Sequence, residues 1–180
     1  MKFSRLAIPE IVYIQPAIHR DDRGYFTEIF RQDKLDTFLG APLYFVQDNE
    51  SESTQGVFRG LHYQLPPYPQ AKLIRVVQGR ILDIALDIRK NSPTFGQHIQ
   101  VELSAEQQNQ LWVPHGFAHG FWVLSKTAKI CYKVDNYYDR ASDRAININD
   151  PALKIDLDLS QMIRSEKDLQ APYLNQAETF

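Results

Sequence analysis

The run Gly56-Val57-Phe58-Arg59-Gly60-Leu61-His62-Tyr63-Gln64 sets a histidine three residues after an arginine in a strand-like stretch, and Lys72 follows eight residues after Gln64. A histidine can take a proton near neutral pH, a lysine can steady negative charge, and an arginine presents a planar fork suited to phosphate. Brought into one pocket, the three make a catalytic set. Whether they meet depends on the elements that carry them.

Those elements read as short strands. Apolar alternation runs through 81–88, 99–103, 117–124 and 128–134, and Gln78-Gly79, Asn91-Ser92-Pro93-Thr94 and Pro114-His115-Gly116 supply turns between them. An all-β sandwich or barrel follows. One helix is expected over 31–39, with Leu35, Phe38 and Leu39 on one face and Gly40 at its end, and a short helical turn starts at Ser165. Alternation places Tyr132 on the face of Ala128, Ile130 and Val134, pointing inward, and His119 with Phe117, Phe121 and Val123. Strict alternation would send Arg59 and His62 to opposite faces, and Gly60 marks where a bulge or bend changes this.

Several polar groups have two readings. Gln47-Asp48-Asn49 with Ser51 and Ser53 forms a turn or offers amides and hydroxyls to a sugar or base. Arg23 and Glu28 fit a solvated edge strand or a diphosphate grip. Lys72 fits a surface strand start, and Asp168, three residues after Ser165, fits a capping box, the reading that the local residues favour. His62, His115 and His119 do not make a metal site, because His62-Tyr63-Gln64 lacks the second ligand of a His-x-His pair and His115 and His119 flank a turn rather than share a helix face.

At 180 residues the chain suits one domain, 1–180, large enough to enclose a pocket. With 20 Lys+Arg against 22 Asp+Glu, a net charge of -2 speaks against nucleic acid or an anionic membrane as partner, so any phosphate is gripped locally. Cys131 is the only cysteine, which leaves no internal disulfide. The opening residues form no apolar leader, and no stretch nears the roughly 20 apolar residues of a span. A soluble, cytoplasmic protein is expected.

Taken as a set, the motifs resemble the dTDP-4-dehydrorhamnose 3,5-epimerase family, nucleotide-sugar epimerases on a cupin-type jelly roll. The resemblance covers most of the chain. It rests on Asp22-x-Arg-Gly-x-Phe-x-Glu28, Gln47-Asp-Asn-x-Ser51, the Gly56 to Gln64 run, Lys72-Leu-x-x-Val76, Asp83-x-x-x-Asp87-x-Arg89, Ser92-Pro-Thr-x-Gly96, Pro114-x-Gly-Phe-Ala-His-Gly-Phe121, Tyr132-Lys133 and Lys167-Asp168. It implies an all-β jelly-roll barrel with short peripheral helices and a homodimer. His62 is implied as general base, Asp168 as the carboxylate orienting it, Tyr132 as the opposing acid and Lys72 as the stabiliser of the enolate oxygen. His119 is placed near the sugar, and Arg23, Glu28, Gln47, Asp48, Asn49, Arg59, Asp143 and Lys167 hold the nucleotide or sugar. No cofactor is implied, since the 4-keto group of the substrate itself delocalises the charge.

Departures from the family pattern fall after Tyr138. Arg140, Asp143 and Ile148 stand where a proline, a glutamate and a tryptophan are usual, and Leu157-Asp158 replaces a Trp-Pro. These are expected to alter contacts at the nucleotide end or the dimer edge. Competing readings are a 3-epimerase of a specialised deoxysugar route, a non-catalytic sugar-nucleotide-binding cupin, and a metal-dependent cupin oxygenase.

Overall fold

The computed structural model describes residues 1–180. Thirteen strands carry the chain: β1 (Lys2–Arg5), β2 (Val12–Gln15), β3 (Ile18–Asp21), β4 (Gly24–Thr27), β5 (Gln47–Thr54), β6 (Phe58–Gln64), β7 (Lys72–Gln78), β8 (Arg80–Asp87), β9 (His98–Ser104), β10 (Gln110–Val113), β11 (Phe117–Val123), β12 (Thr127–Val134) and β13 (Asp143–Ala145). Helix α1 (Gln32–Leu39) lies before β5 and the single turn α2 (Glu166–Leu169) follows β13. All four strands expected from alternation form, within one residue at either end.

Antiparallel pairing sorts the strands into a six-stranded sheet in the order β1-β2-β10-β7-β12-β5 and a five-stranded sheet in the order β13-β6-β11-β8-β9. The order mixes early and late strands in each sheet, as a jelly roll does. β3 and β4 pair only with each other, as a hairpin.

Three cores follow from this arrangement. Between the sheets, Ile74, Val76 and Ile130 of the first meet Ile81, Phe117 and Phe121 of the second. Behind the five-stranded sheet, Phe58, Leu61, Ile84 and Leu86 pack on Ile146, Ile148, Leu153 and Met162 of the later chain. Behind the six-stranded sheet, Val12, Ile14 and Trp112 pack on Leu35 of α1, flanked by Phe38 and Leu39. Leu35 is 1 % exposed, a burial worth about 2 kcal/mol. Gly40 ends α1 with φ 79°, the left-handed conformation in which its N–H reaches the Asp36 carbonyl.

Two of the departures lie in the back core: Ile148 is 1 % exposed within it and Leu157 packs against it, so both adjust the layer behind the five-stranded sheet.

Gly60 supplies the irregularity that Arg59 and His62 require. Along the β6–β11 ladder His62 lies opposite His119 while Arg59 lies opposite Phe121, so three steps on β6 match two on β11. That extra residue is a bulge, and it brings Arg59 and His62 to one face. Gly60 has φ 139°, and a Cβ there would sit 2.5 Å from the Cα of Gly120. No other residue fits at that crossing.

Candidate active site

His62, Lys72, Tyr132, Tyr138, Asp143 and Lys167 line one cavity of about 200 Å³ between the two sheets. β6 delivers His62, β7 Lys72, β12 Tyr132, β13 Asp143 and α2 Lys167. His62 is flanked by Leu61 and Tyr63 of the back core and Lys72 by Ala71 and Leu73 of the third core, which fixes both, while Tyr138 comes from the loop after β12. Tyr132 packs on the inter-sheet core beside Ile130 and Val134, both fully buried, as alternation requires.

His62 Nε2 lies 2.6 Å from Oδ1 of Asp168. Burial by itself would raise the Asp168 carboxyl, but the His62 bond and charge, the Ser165 hydroxyl and the Gly60 N–H together bring it below its ordinary value. Asp168 is therefore the anionic orienter of a partly exposed imidazole. The capping reading holds for the backbone alone: the Asp168 N–H donates to Ser165 Oγ at 3.2 Å, while the side chain belongs to His62.

Lys72 is buried and donates to the His62 carbonyl at 3.1 Å, which excludes the surface reading. Burial lowers its ammonium to about 8, with the charges of Asp83 and Asp143 opposing that pull and Lys167 adding to it. Burial likewise raises the Tyr132 phenol, partly offset by the Arg59 charge, so the hydroxyl keeps its proton at neutral pH. His119, directly across the ladder from His62, is buried with Nε2 2.9 Å from both oxygens of Asp83.

The rim is polar. Lys167 pairs with Asp143, and the Tyr138 hydroxyl donates to the same carboxylate at 3.1 Å. Arg59 Nε donates to Ser53 Oγ at 3.0 Å. Asn49 sits opposite Tyr132 in the ladder and so shares its face, and Gln47 donates to Asn49 at 2.8 Å.

Three expected site residues are elsewhere in the single chain. Asp48 lies opposite Lys133 on the other face of β5 and pairs with it at 2.7 Å, because alternation turns it away from its neighbours Gln47 and Asn49. Arg23 stands at the tip of the β3–β4 hairpin, its side chain 90 % exposed and paired only with Asp21. Glu28 follows that hairpin and pairs with Arg31 and Lys34. A larger concavity of about 400 Å³ lies on the far side of the six-stranded sheet, lined chiefly by side chains such as Arg75, Cys131 and Lys133 that alternate away from Tyr132. His62, Lys72 and Lys167 are not in it.

Sequence reasoning assigned no role to Asp83 or Tyr138, and it offered the Ser53 hydroxyl to a ligand where the structure gives it to Arg59. Asp83 had a legible signal, an acid inside the apolar stretch Ile81-Leu82-Asp83-Ile84-Ala85. No group of three or more His, Cys, Asp or Glu side chains is placed to hold a metal ion, and no helix is long and apolar enough to cross a membrane.

A histidine paired with a carboxylate, a buried lysine and a tyrosine that keeps its proton, gathered in one jelly-roll cavity, suit an enzyme that transfers protons. The family model for dTDP-4-dehydrorhamnose 3,5-epimerase matches residues 5–176, and the chain belongs to that family. It is 44 % identical over 180 residues to the dTDP-4-dehydrorhamnose 3,5-epimerase of Shigella flexneri, covering 100 % of this chain and 99 % of that one. To the enzyme of the same name from Pseudomonas aeruginosa it is 46 % identical over 181 residues, with the same coverage. The crystal structure of the Legionella pneumophila dTDP-6-deoxy-D-glucose-3,5-epimerase in complex with dTDP-4-keto-L-rhamnose superimposes with a TM-score of 0.94 at 45 % identity, covering 98 % of this chain and 94 % of that chain.

Proposed function

We propose that the chain epimerises dTDP-4-dehydro-6-deoxy-D-glucose at C3 and C5 to give dTDP-4-dehydro-L-rhamnose, with His62 as base and Tyr132 as the acid on the opposite face. The observation that carries this reading is the convergence of the His62–Asp168 pair, Lys72 and Tyr132 on one cavity. His62 removes the proton from the carbon beside the 4-keto group, and the C–H electron pair moves onto the carbonyl oxygen. Lys72 offers that oxygen an ammonium already in place when charge develops. Tyr132 then delivers a proton from the other side, and inversion results. Solvent afterwards removes the proton held by His62 and restores the one given by Tyr132, so each inverted centre acquires a solvent hydrogen.

The cavity's size supports a division of the substrate. At about 200 Å³ it is smaller than the roughly 300–1,000 Å³ typical of pockets for drug-sized ligands, so it takes the sugar and leaves the nucleotide on the rim. Arg59 and Lys167 suit the diphosphate there. Arg23 and Glu28 are outside this reach within one chain, and the exposed hairpin, with Phe26 68 % exposed, suits delivery to the site of a second copy in a homodimer.

The test is NMR in deuterated water with the dTDP-keto sugar, comparing wild type with His62→Ala. Wild type is expected to incorporate deuterium at both C3 and C5. The variant is expected to lose about 10²–10⁴-fold in rate while binding dTDP almost unchanged. Exchange at C3 alone would make the chain a 3-epimerase, and normal turnover by the variant would remove His62 from the mechanism.

A further inference from the structure

Asp83 takes no part in the chemistry described above, yet its position is costly to maintain. It is fully buried on β8, on the inter-sheet face with Ile81 and Ala85. A carboxylate offers about four acceptor positions, and here both oxygens share a single protein donor, His119 Nε2, at 2.9 Å each. Asp87, four residues on and equally buried, accepts instead from Arg89, Ser92 and Thr94. A buried anion bonded as sparsely as Asp83 requires a cation close by.

Lys72 is placed for that requirement, since its ammonium bonds the carbonyl of His62, which lies directly across the ladder from His119, the residue Asp83 holds. It too is buried, and of its three donors one is used, on the His62 carbonyl. Asp83 is the foremost of the groups opposing the effect of burial on Lys72. The other charged and titratable groups around the ammonium are Asp143 from β13 and Lys167 from α2, with His62 from β6 and Tyr132 from β12 in the same cavity wall. Asp83 acts on Lys72 through space, since the lysine's hydrogen bond goes elsewhere, and on His119 by direct contact. An ionised carboxylate at Nε2 keeps the proton on that nitrogen and leaves Nδ1 as the free ring atom.

We propose that Asp83 is a positioning residue of this site, supplying the buried negative charge that holds His119 in one tautomer and Lys72 as an ammonium ion. The proposal rests on the reading of Lys72 as the group that meets the enolate oxygen. Its consequence is that the loss of activity at alkaline pH belongs to a pair, with Lys72 titrating and Asp83 setting where.

The experiment is the pH profile of kcat and KM for wild type, Asp83→Asn and Asp83→Glu, with deuterium incorporation as the assay. Wild type needs Lys72 protonated, so its kcat falls as pH rises through about 8. Removing the negative charge in Asp83→Asn lowers the lysine further, so the alkaline limb is expected to move down by about one pH unit or more. At the optimum kcat falls about 10²-fold while KM stays within about threefold, the pattern of a lost transition-state interaction. Asp83→Glu keeps the charge and is expected to hold the limb near the wild-type position with a reduced kcat. A folded Asp83→Asn enzyme with a uniformly lower kcat and an unmoved limb overturns the proposal. Should Asp83→Asn not fold, Asp83→Ser carries the same expectation, and failure of both to fold also overturns it, since the residue would then serve the core alone. Absence of deuterium incorporation by wild type would instead count against the epimerase reading itself.

Discussion

His62 and Asp168 meet at 2.6 Å although 106 residues separate them, and the contact made is to Nε2 of the ring. That leaves Nδ1 as the nitrogen able to take a proton. Asp168→Asn would offer an amide N–H to Nε2, moving the ring proton to Nδ1 and removing the base. Turnover is expected to drop by about 10²–10⁴-fold. The Ser165 cap uses the Asp168 backbone and survives the change. Rate per folded molecule and the melting temperature, measured together, check this: a lower melting temperature with unchanged turnover would return Asp168 to a capping role.

Tyr132→Phe removes one hydroxyl from a ring packed beside Ile130 and Val134, at nearly constant volume. The fold is expected to persist. His62 can still remove a proton and return one from solvent to the same face, so hydrogen exchange continues while inversion falls. In deuterated water the two processes separate. Their persistence together at wild-type rates would make Tyr132 a core residue only.

Ser53, 5 % exposed, holds Nε of Arg59 at 3.0 Å. A guanidinium neutralises phosphate alike in ground and transition states. Ser53→Ala is expected to raise KM severalfold with kcat nearly constant, and Arg59→Ala to raise it more and weaken the dependence on salt. Steady-state kinetics at two ionic strengths decide it, and a collapse of kcat at constant KM would show that the arginine acts in the chemistry.

The hairpin that holds Arg23 gives a complementation test. Arg23→Ala is expected to bind substrate weakly and His62→Ala to be inactive. A dimer of one chain of each kind would contain one site with both native residues, if Arg23 serves the partner. Purified mixed dimers are then expected to regain up to half the wild-type activity, and a randomly associated co-expressed population about a quarter. No recovery in purified mixed dimers would assign Arg23 to its own chain or to the surface.

Acid also acts away from the site. Burial alone would raise Asp87, but hydrogen bonds from Arg89, Ser92 and Thr94 carry it down to about 2, against 3.8 ordinarily. Because the folded value lies below the unfolded one, its stabilisation of about 2 kcal/mol is complete above roughly pH 4 and disappears as pH falls toward 2. Asp87→Asn is expected to lower the melting temperature at pH 7 and to flatten its decline between pH 4 and 2. A parallel curve would contradict this.

The four alternating strands and α1 were legible because each shows its period locally, and so was the inward direction of Tyr132, whose neighbours Ala128, Ile130 and Val134 are all apolar; β5, Gln47–Thr54, has no apolar residue to show a period and read as a turn instead. The phase of β6 was not fully legible. Counting by two separates Arg59 from His62, and only the pairing with β11 shows where the extra residue is absorbed. Asp168 read locally as a cap because its true partner lies in a distant strand, a contact that no local window contains. Asp48 was carried along by its neighbours in the motif, although alternation already turned it to the opposite face. Arg23 and Glu28 show a different limit, since within one chain the hairpin and the residues after it pair only with their own neighbours.

The back core has a consequence for heat inactivation. The segment bearing Ile146, Leu153, Met162 and Leu174 docks on the reverse of the sheet that presents His62 on its front, and the same segment carries Lys167 and Asp168. Detachment of that layer would leave most strand ladders intact while withdrawing the carboxylate from the imidazole. Sub-global openings of this kind cost less than global unfolding. The enzyme is therefore expected to stop working some degrees below the temperature at which its sheets melt, with hydrogen exchange rising first across 146–177.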